Sequence, residues 1–375
     1  MTSLSDRWFA VRNRLLASPA FQRWAASFPL TRPIARRRAQ AVFDLCAGFV
    51  YSQILQSCVD LKLFDALRDG PRRTDDLAGA LALPADAMAR LLEAAAALRL
   101  LERRGADRFG LGVLGAALAG NPGATAMIGH HPLLYADLRD PVALLRGEHR
   151  DTALGRLWPY AAAGCKPIGA TDVAAYSDLM AASQPLVAED ILDAYRLDRH
   201  RCLLDIGGGD GTFLTQVAAR AAHLKLMLFD LPAVAERAQQ HLAGSGLQDR
   251  AQAYGGDVRA GNLPPGADIV SLVRVIHDHD DQDAMRILRS AWNALPPGGT
   301  LLLAEPMAGT PAAPGVEAYF IFYLLAMGSG RPRRMEELTH MLQAAGFSQI
   351  RALPSRRPML VRILVATRDE RTAQP

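Results

Sequence analysis

Apolar residues recur at helical spacing from Ala41 to Leu67, with Leu61, Leu63 and Phe64 near the end of the run and Gly70-Pro71 as a stop. This predicts a long buried helix. Thr74-Asp75-Asp76-Leu77 opens a second helix, because Thr74 can accept a backbone hydrogen bond and the two aspartates suit the positive helix end. Pro84-Ala85-Asp86 opens a third, and Leu98 to Leu114 reads as two short strands around the turn Arg103-Arg104-Gly105-Ala106-Asp107. The order resembles a winged helix. From Asn121 to Leu192 the pattern loosens, punctuated by Pro132, Pro141, Pro159 and Pro167, and linking helices and loops are expected. From His200 the period changes to short apolar runs alternating with helical segments: strands at 203–206 and 226–230, then 269–276, 300–304 and 360–367, with a helix from Met335 to Ala345. A doubly wound, Rossmann-like α/β sheet with right-handed crossovers is predicted, giving a helical winged-helix domain over 1–175 and the α/β domain over 176–375.

A chain of 375 residues is long enough for these two cores. Forty-two basic against 38 acidic side chains give only +4, so nucleic acid is not an expected partner. The third helix of the winged region has one arginine, Arg90, among alanines and no Asn, Gln or Lys to read base edges. It is assigned to dimerisation and to walling a site. Cys46, Cys58, Cys165 and Cys202 form no CxxC and suit free thiols in a reducing cytoplasm. The N-terminus lacks the pattern of a signal peptide, and no charge-free apolar run approaches a membrane span of roughly 18 residues. Arg32, Arg36, Arg37 and Arg38, close to Trp24, Phe28 and Leu30, fit either a solvated helix end or a foot on an anionic membrane.

The run Cys202–Ile206 leads into Gly207-Gly208-Gly209-Asp210-Gly211-Thr212 and then a helix, so backbone must approach a ligand closely there. The turn lacks the Lys-Ser/Thr pair of a P-loop, and Thr212 stands where a dinucleotide fingerprint puts its third glycine. Asp205 ends the first strand, Asp230 the second, beside Leu231, and Asp257 follows the third, beside Val258. Asp230 is placed to accept both ribose hydroxyls and Asp257 the adenine amino group. Three acids at successive strand ends imply an adenosyl ligand without a pyrophosphate.

The fourth strand ends in His277-Asp278-His279-Asp280-Asp281, at the edge where such sheets bind ligands. A metal reading takes His277, His279 and Asp281 as ligands, but Gln282 occupies the position of a further histidine, and no metal is expected. The other reading makes His277 a general base, oriented by Asp278 or by Glu305 at the end of the fifth strand. His279, Asp280 and Asp281 are then a solvated loop and helix cap.

These residues resemble the plant-type small-molecule O-methyltransferases. Its marks are matched by the turn from Asp205 to Gly211, by Asp230-Leu231-Pro232, by Gly256-Asp257, and by His277-Asp278 with Asp280-Asp281. The resemblance implies S-adenosylmethionine as cofactor, a hydroxyl acceptor, and a homodimer formed through the N-terminal region. Val273 stands where plant members have a cofactor-holding lysine, and Arg274 is the stand-in; His279 replaces a tryptophan. Gly328 to Arg334 lacks the glutamate that flanks the base in plant members, which leaves Glu305. The stretches Glu317 to Arg333 and Ala136 to Pro141 look like the carotenoid branch of purple phototrophic bacteria, which methylates tertiary hydroxyls of the hydroxyneurosporene and demethylspheroidene type. That implies a cytoplasmic protein peripheral to the photosynthetic membrane. Phenolic polyketides and bacteriochlorophyll precursors are rival acceptors, and a non-catalytic cofactor-binding regulator is a rival of another class. The nearly all-apolar Tyr319–Met327 helix suits either a polyene pocket or a dimer core.

Overall fold

The structure, a computed structural model, describes residues 3–158, 170–310 and 313–369. Pro159, Cys165 and Pro167 lie outside the described residues. The chain divides into two compact units, Met1–Gly120 and Asn121–Pro375.

The first unit begins with α1 (Leu4–Ala17), held at its start by a capping box between Ser3 and Asp6, α2 (Pro19–Ser27) and α3 (Arg32–Asp60). The predicted helix over 41–67 stops at Asp60 because Lys62 takes a left-handed φ of 53°, and α4 (Leu63–Ala66) follows. Next come β1 (Arg72–Arg73), α5 (Thr74–Ala80), α6 (Ala85–Ala97), β2 (Leu101–Arg103), β3 (Arg108–Leu111) and α7 (Val113–Ala119). α5 starts at Thr74 itself, so the cap expected of its hydroxyl is not made. The strands pair antiparallel in the order β1-β3-β2, over a core that includes Leu77, Met88, Leu92 and Phe109. The winged-helix expectation is met. Contrary to the expectation of no spanning segment, α3 is by length and composition alone apolar enough to cross a membrane, since Asp44 is the one charge between Ala41 and Val59.

The second unit opens with α8 (Pro122–Asp137), α9 (Pro141–Leu145), α10 (Ala153–Leu157) and α11 (Ala170–Ala194). The sheet region then runs β4 (Cys202–Ile206), α12 (Thr212–Arg220), β5 (Lys225–Asp230), α13 (Pro232–Gly244), β6 (Ala251–Gly255), β7 (Ile269–Val273), α14 (Asp281–Ala294) and β8 (Thr300–Glu305). It finishes with α15 (Pro314–Met327), α16 (Met335–Ala344), β9 (Phe347–Leu353) and β10 (Arg362–Arg368). The seven strands order as β6-β5-β4-β7-β8-β10-β9, with β10 antiparallel to both neighbours and the rest parallel. Successive residues of each central strand alternate between two cores: Leu203, Leu226 and Ile269 face one, Leu204, Met227 and Val270 the other. Burial on both faces is why these strands read as continuous apolar runs.

The strands and the division into units also depart from the sequence expectation. β7 ends at Val273, not at residue 276, because Arg274 turns left-handed with φ 57°. β9 had no counterpart in the sequence reading; its residues alternate only weakly, and Gln349 has a positive φ of 49°. The compact units part at Gly120, ahead of the 175/176 division, because residues 121–158 pack within the second unit: Leu134, Leu144, Leu154 and Trp158 share a core with Tyr323, Leu324 and Met327.

Candidate active site

The carboxyl edge of β4, β5, β7 and β8 carries two adjoining cavities. In the first, of about 980 Å³, the lining includes Gly207, Gly208, Gly209, Asp210, Asp230, Leu231, Asp257, Val258, Arg274, Asp278 and His279. Gly207, Gly209 and Gly211 have φ of 68°, 58° and 86°, a backbone that side chains disfavour. A Cβ on Gly207 would sit 2.7 Å from Val275, and one on Gly208 would sit 2.7 Å from the Asp205 carboxylate. Only glycine therefore makes this cradle. Asp230 is fixed beneath it, its Oδ2 accepting from the Gly209 N–H at 2.9 Å and its Oδ1 from the Leu231 N–H at 2.7 Å.

Asp205 departs from its expected place at the ligand. It is buried under the turn, does not line the cavity, and accepts from Ser271 Oγ at 2.6 Å. Burial, with the nearby Asp230 charge, pushes its carboxyl up to about 7 against the opposing Ser271 hydrogen bond. Asp257 does line the cavity, but Arg259 claims much of it: hydrogen bonds from Nε, Nη2 and the backbone N–H hold its carboxyl below the usual range despite partial burial. Arg274 lines both cavities and donates from Nη1 to Ser183 Oγ at 2.7 Å and from Nη2 to the Met180 carbonyl at 3.1 Å. It ties β7 to α11.

The second cavity, of about 1190 Å³, has His277 and Asp278 at one end and is lined mainly by apolar side chains of α8, α11 and α15, such as Met127, Ile128, Leu186 and Phe320. α15 walls this cavity through Tyr319, Phe320, Tyr323 and Met327. Its two phenols bond to neighbouring imidazoles, His130 Nε2 to Tyr323 and His131 Nε2 to Tyr319, each at 3.0 Å. Burial, reinforced by His131, pushes His130 down to about 4; burial also lowers His131 and raises both phenols. These four groups are thus uncharged near neutral pH, and the wall stays apolar in character.

His277 lines the second cavity, next to Asp278, which lines both. Its Nδ1 lies 2.6 Å from Glu305 Oε2, while Glu305 Oε1 accepts from the backbone N–H groups of Val275 at 3.0 Å and Ile276 at 2.7 Å. Asp278 Oδ1 lies 3.1 Å from Nε2. Burial disfavours the imidazolium, but the charges of Asp278 and Glu305 outweigh it and hold His277 above its ordinary value of 6.5. Of the two acids that the sequence offered as alternatives, Glu305 faces Nδ1 and Asp278 faces Nε2.

His279 is not the solvated residue expected. It is buried, packs at 5.8 Å from the Trp158 ring, and is pushed down to about 4 by burial and by Arg259. Asp280 caps α14 as expected, accepting from the Asp283 N–H at 2.8 Å. Asp281 pairs with Arg331 and Arg333, so His277, His279 and Asp281 each have different partners. Among the described residues no group of His, Cys, Asp or Glu is arranged to hold a metal ion.

Sequence reasoning missed Arg333. This guanidinium is 1% exposed and donates to the carbonyls of Ile276 at 2.6 Å and His279 at 2.8 Å, and to Asp281 at 2.9 Å. Beside it, Gly330, with φ 82°, lies so close that a Cβ would overlap the His277 carbonyl, and the Arg331 N–H donates to that carbonyl at 2.9 Å. The segment that lacks a glutamate thus clamps the histidine loop from behind.

Residues 135–348 match the family of the O-methyltransferase domain, and residues 43–120 match the O-methyltransferase dimerisation domain. The chain belongs to this O-methyltransferase family. Demethylspheroidene O-methyltransferase of Cereibacter sphaeroides is 45% identical over 95% of this chain and 94% of its own. The protein of the same name from Rhodobacter capsulatus is 39% identical over 91% of this chain and 85% of its own. Among solved structures, a mitomycin 7-O-methyltransferase superposes with a TM-score of 0.73 at 26% identity, covering 90% of this chain and 99% of that one.

Replacing Arg333 by lysine keeps the charge but loses the fork that bridges two carbonyls and a carboxylate. Urea unfolding of Arg333→Lys is expected to show a loss of about 2 kcal/mol, and methyl transfer should slow by roughly tenfold or more as the loop shifts. A folded variant with wild-type turnover would show that the loop holds its place without this clamp.

Proposed function

We propose that the chain transfers a methyl group from S-adenosylmethionine to the tertiary hydroxyl of a carotenoid of the hydroxyneurosporene or demethylspheroidene type. The observation that carries this reading is the His277–Glu305 hydrogen bond on the wall of an apolar cavity, beside Asp278, which also lines the glycine-floored one. The names of the two relatives at 45% and 39% identity support the acceptor.

The residues present fit the cofactor. A cradle in which a Cβ on Gly207 or Gly208 would collide with its neighbours admits a ligand against bare backbone, and Asp210, Asp230, Asp257 and Asp278 give the cavity the acidic character that a cationic sulfonium compound requires. Asp230 would accept from the ribose hydroxyls, Gly207 and Gly209 would lie under the ligand, and Leu231, Asp257 and Val258 would flank the adenine. Asp205 acts one step back, by supporting the turn, and Arg274 closes the wall between the cavities. S-adenosylmethionine supplies a methyl group already activated for transfer to oxygen.

What remains for the protein is alignment and proton removal. Glu305 accepts from the His277 Nδ1–H, which fixes the tautomer with Nε2 as the proton-accepting atom. A tertiary alcohol does not ionise beforehand, so its proton passes to Nε2 as the carbon–oxygen bond forms. The imidazolium so produced lies between Glu305 and Asp278, both within 3.1 Å of a ring nitrogen. In this reading the protein is a homodimer formed through residues 43–120, and a cytoplasmic one in contact with the photosynthetic membrane that holds its acceptor.

Given methyl-labelled cofactor and detergent-dispersed acceptors, the purified chain is expected to label a tertiary carotenoid alcohol; label appearing on a phenolic naphthoate alone would remove the acceptor assignment. The pH profile tests the base. His277 must be neutral to accept a proton and is held above 6.5, so turnover should rise with pH along a limb centred above that value. In Asp278→Asn one of the charges favouring the imidazolium is gone while burial remains, so the limb should move toward acid. A limb that stays in place would mean that Asp278 does not bear on the base.

A further inference from the structure

The positive charge of this chain is concentrated at one end. Residues 1–40 contain eight arginines and a single acid, Asp6, whereas the whole chain carries only +4, so the rest is net acidic. α1 lies in this stretch and buries none of its residues. Leu4, Trp8, Val11 and Leu15 recur at i, i+4, i+7 and i+11, which sets them in one stripe along the helix. The stripe is open to solvent: Leu4 is 87% and Trp8 65% exposed. Arg7 and Arg14 border it on one side and Arg12 on the other. On α2, Trp24 stacks on Phe28 at 5.3 Å, and both rings are exposed.

Two occupants suit an apolar stripe edged with arginine, a second copy of the chain or an anionic lipid surface. The charge decides between them. In a two-fold contact the same patch meets itself, so the arginines of one copy would face those of the other with Asp6 as the sole acid of α1 to offset them. The match to the dimerisation domain also begins at residue 43, beyond the stripe. An anionic headgroup layer neutralises the arginines, while Trp8 and Trp24 are the side chains that settle at the boundary between headgroups and acyl chains.

We infer that α1, together with the exposed aromatic rings of α2, lies in the plane of an anionic lipid bilayer, its Leu4–Trp8–Val11–Leu15 stripe in the acyl boundary and its arginines among the phosphates. This deepens the membrane contact of the proposed function by naming the element and the lipid chemistry, and it rests on that reading only for its purpose.

The test is flotation of the full chain with vesicles of equimolar phosphatidylglycerol and phosphatidylcholine, and with vesicles of phosphatidylcholine alone. The wild type should float with the anionic vesicles, remain behind with the neutral ones, and detach as salt is raised. Trp8→Ser combined with Val11→Ser should weaken partition by roughly tenfold or more without altering the oligomeric state. The same variant should methylate detergent-dispersed acceptor at the wild-type rate and vesicle-embedded acceptor more slowly. No flotation, or equal flotation with both vesicles, would overturn the inference, as would dissociation of the dimer in the double variant, which would give the stripe to a second copy. If no form methylates a carotenoid in detergent, the acceptor assignment fails while flotation still decides the docking.

Discussion

Glu305 is a carboxylate buried to 1% exposure at the end of a central strand, and the catalytic edge takes its form from how that charge is satisfied. Burying an ionised carboxylate is costly unless it is paired and hydrogen-bonded. Here one oxygen takes two backbone N–H groups, from Val275 and Ile276, and the other takes His277 Nδ1. To present those three donors, the chain leaving β7 must turn sharply over the end of β8, and it does so at Arg274, with φ 57°. From the opposite side a buried cation, Arg333, holds the carbonyls of Ile276 and His279. A loop that carries a single 3-10 turn over Ile276–Asp278 is thereby fixed between a buried anion and a buried cation.

This loop contributes to both cavities, and the two differ in chemistry because their polar groups are treated differently. The first keeps several carboxylates and two guanidiniums at its surface, over glycine backbone that only a close-fitting ligand can use. In the second, imidazole Nε2 atoms of α8 bond to phenols of α15 as His130–Tyr323 and His131–Tyr319 pairs, and burial keeps the imidazoles uncharged. An apolar acceptor thus meets charge only at the end where His277, Asp278 and Arg274 stand.

Much of this was legible in the sequence, wherever the signal is local. The change of period near His200, the glycine turn, the acids ending β5 and following β6, and His277 with Asp278 and Glu305 as its two possible partners all follow from strand-end pattern and from the rule that such sheets bind ligands at their carboxyl edge. What was not legible depends on tertiary partners. His279, between two aspartates, reads as solvent-facing, and only the Trp158 ring and the grip of Arg333 on its carbonyl make it a wall. Asp205 reads as a ligand-binding acid, yet the parallel register of β4 with β7 sets it opposite Ser271, beneath the turn. Gly328 to Arg334 reads as the lack of a glutamate, because nothing in a single sequence shows that its arginine reaches across more than fifty residues to the histidine loop.

In this mechanism His277 acts on the acceptor's proton and not on the cofactor. It is tested most directly by measuring, on one preparation of His277→Ala, the equilibrium affinity for S-adenosylmethionine and the rate of single-turnover methyl transfer. Affinity close to that of the wild type with transfer abolished is the predicted result. Parallel loss of both would contradict the account and make the histidine part of the frame that shapes the donor cavity.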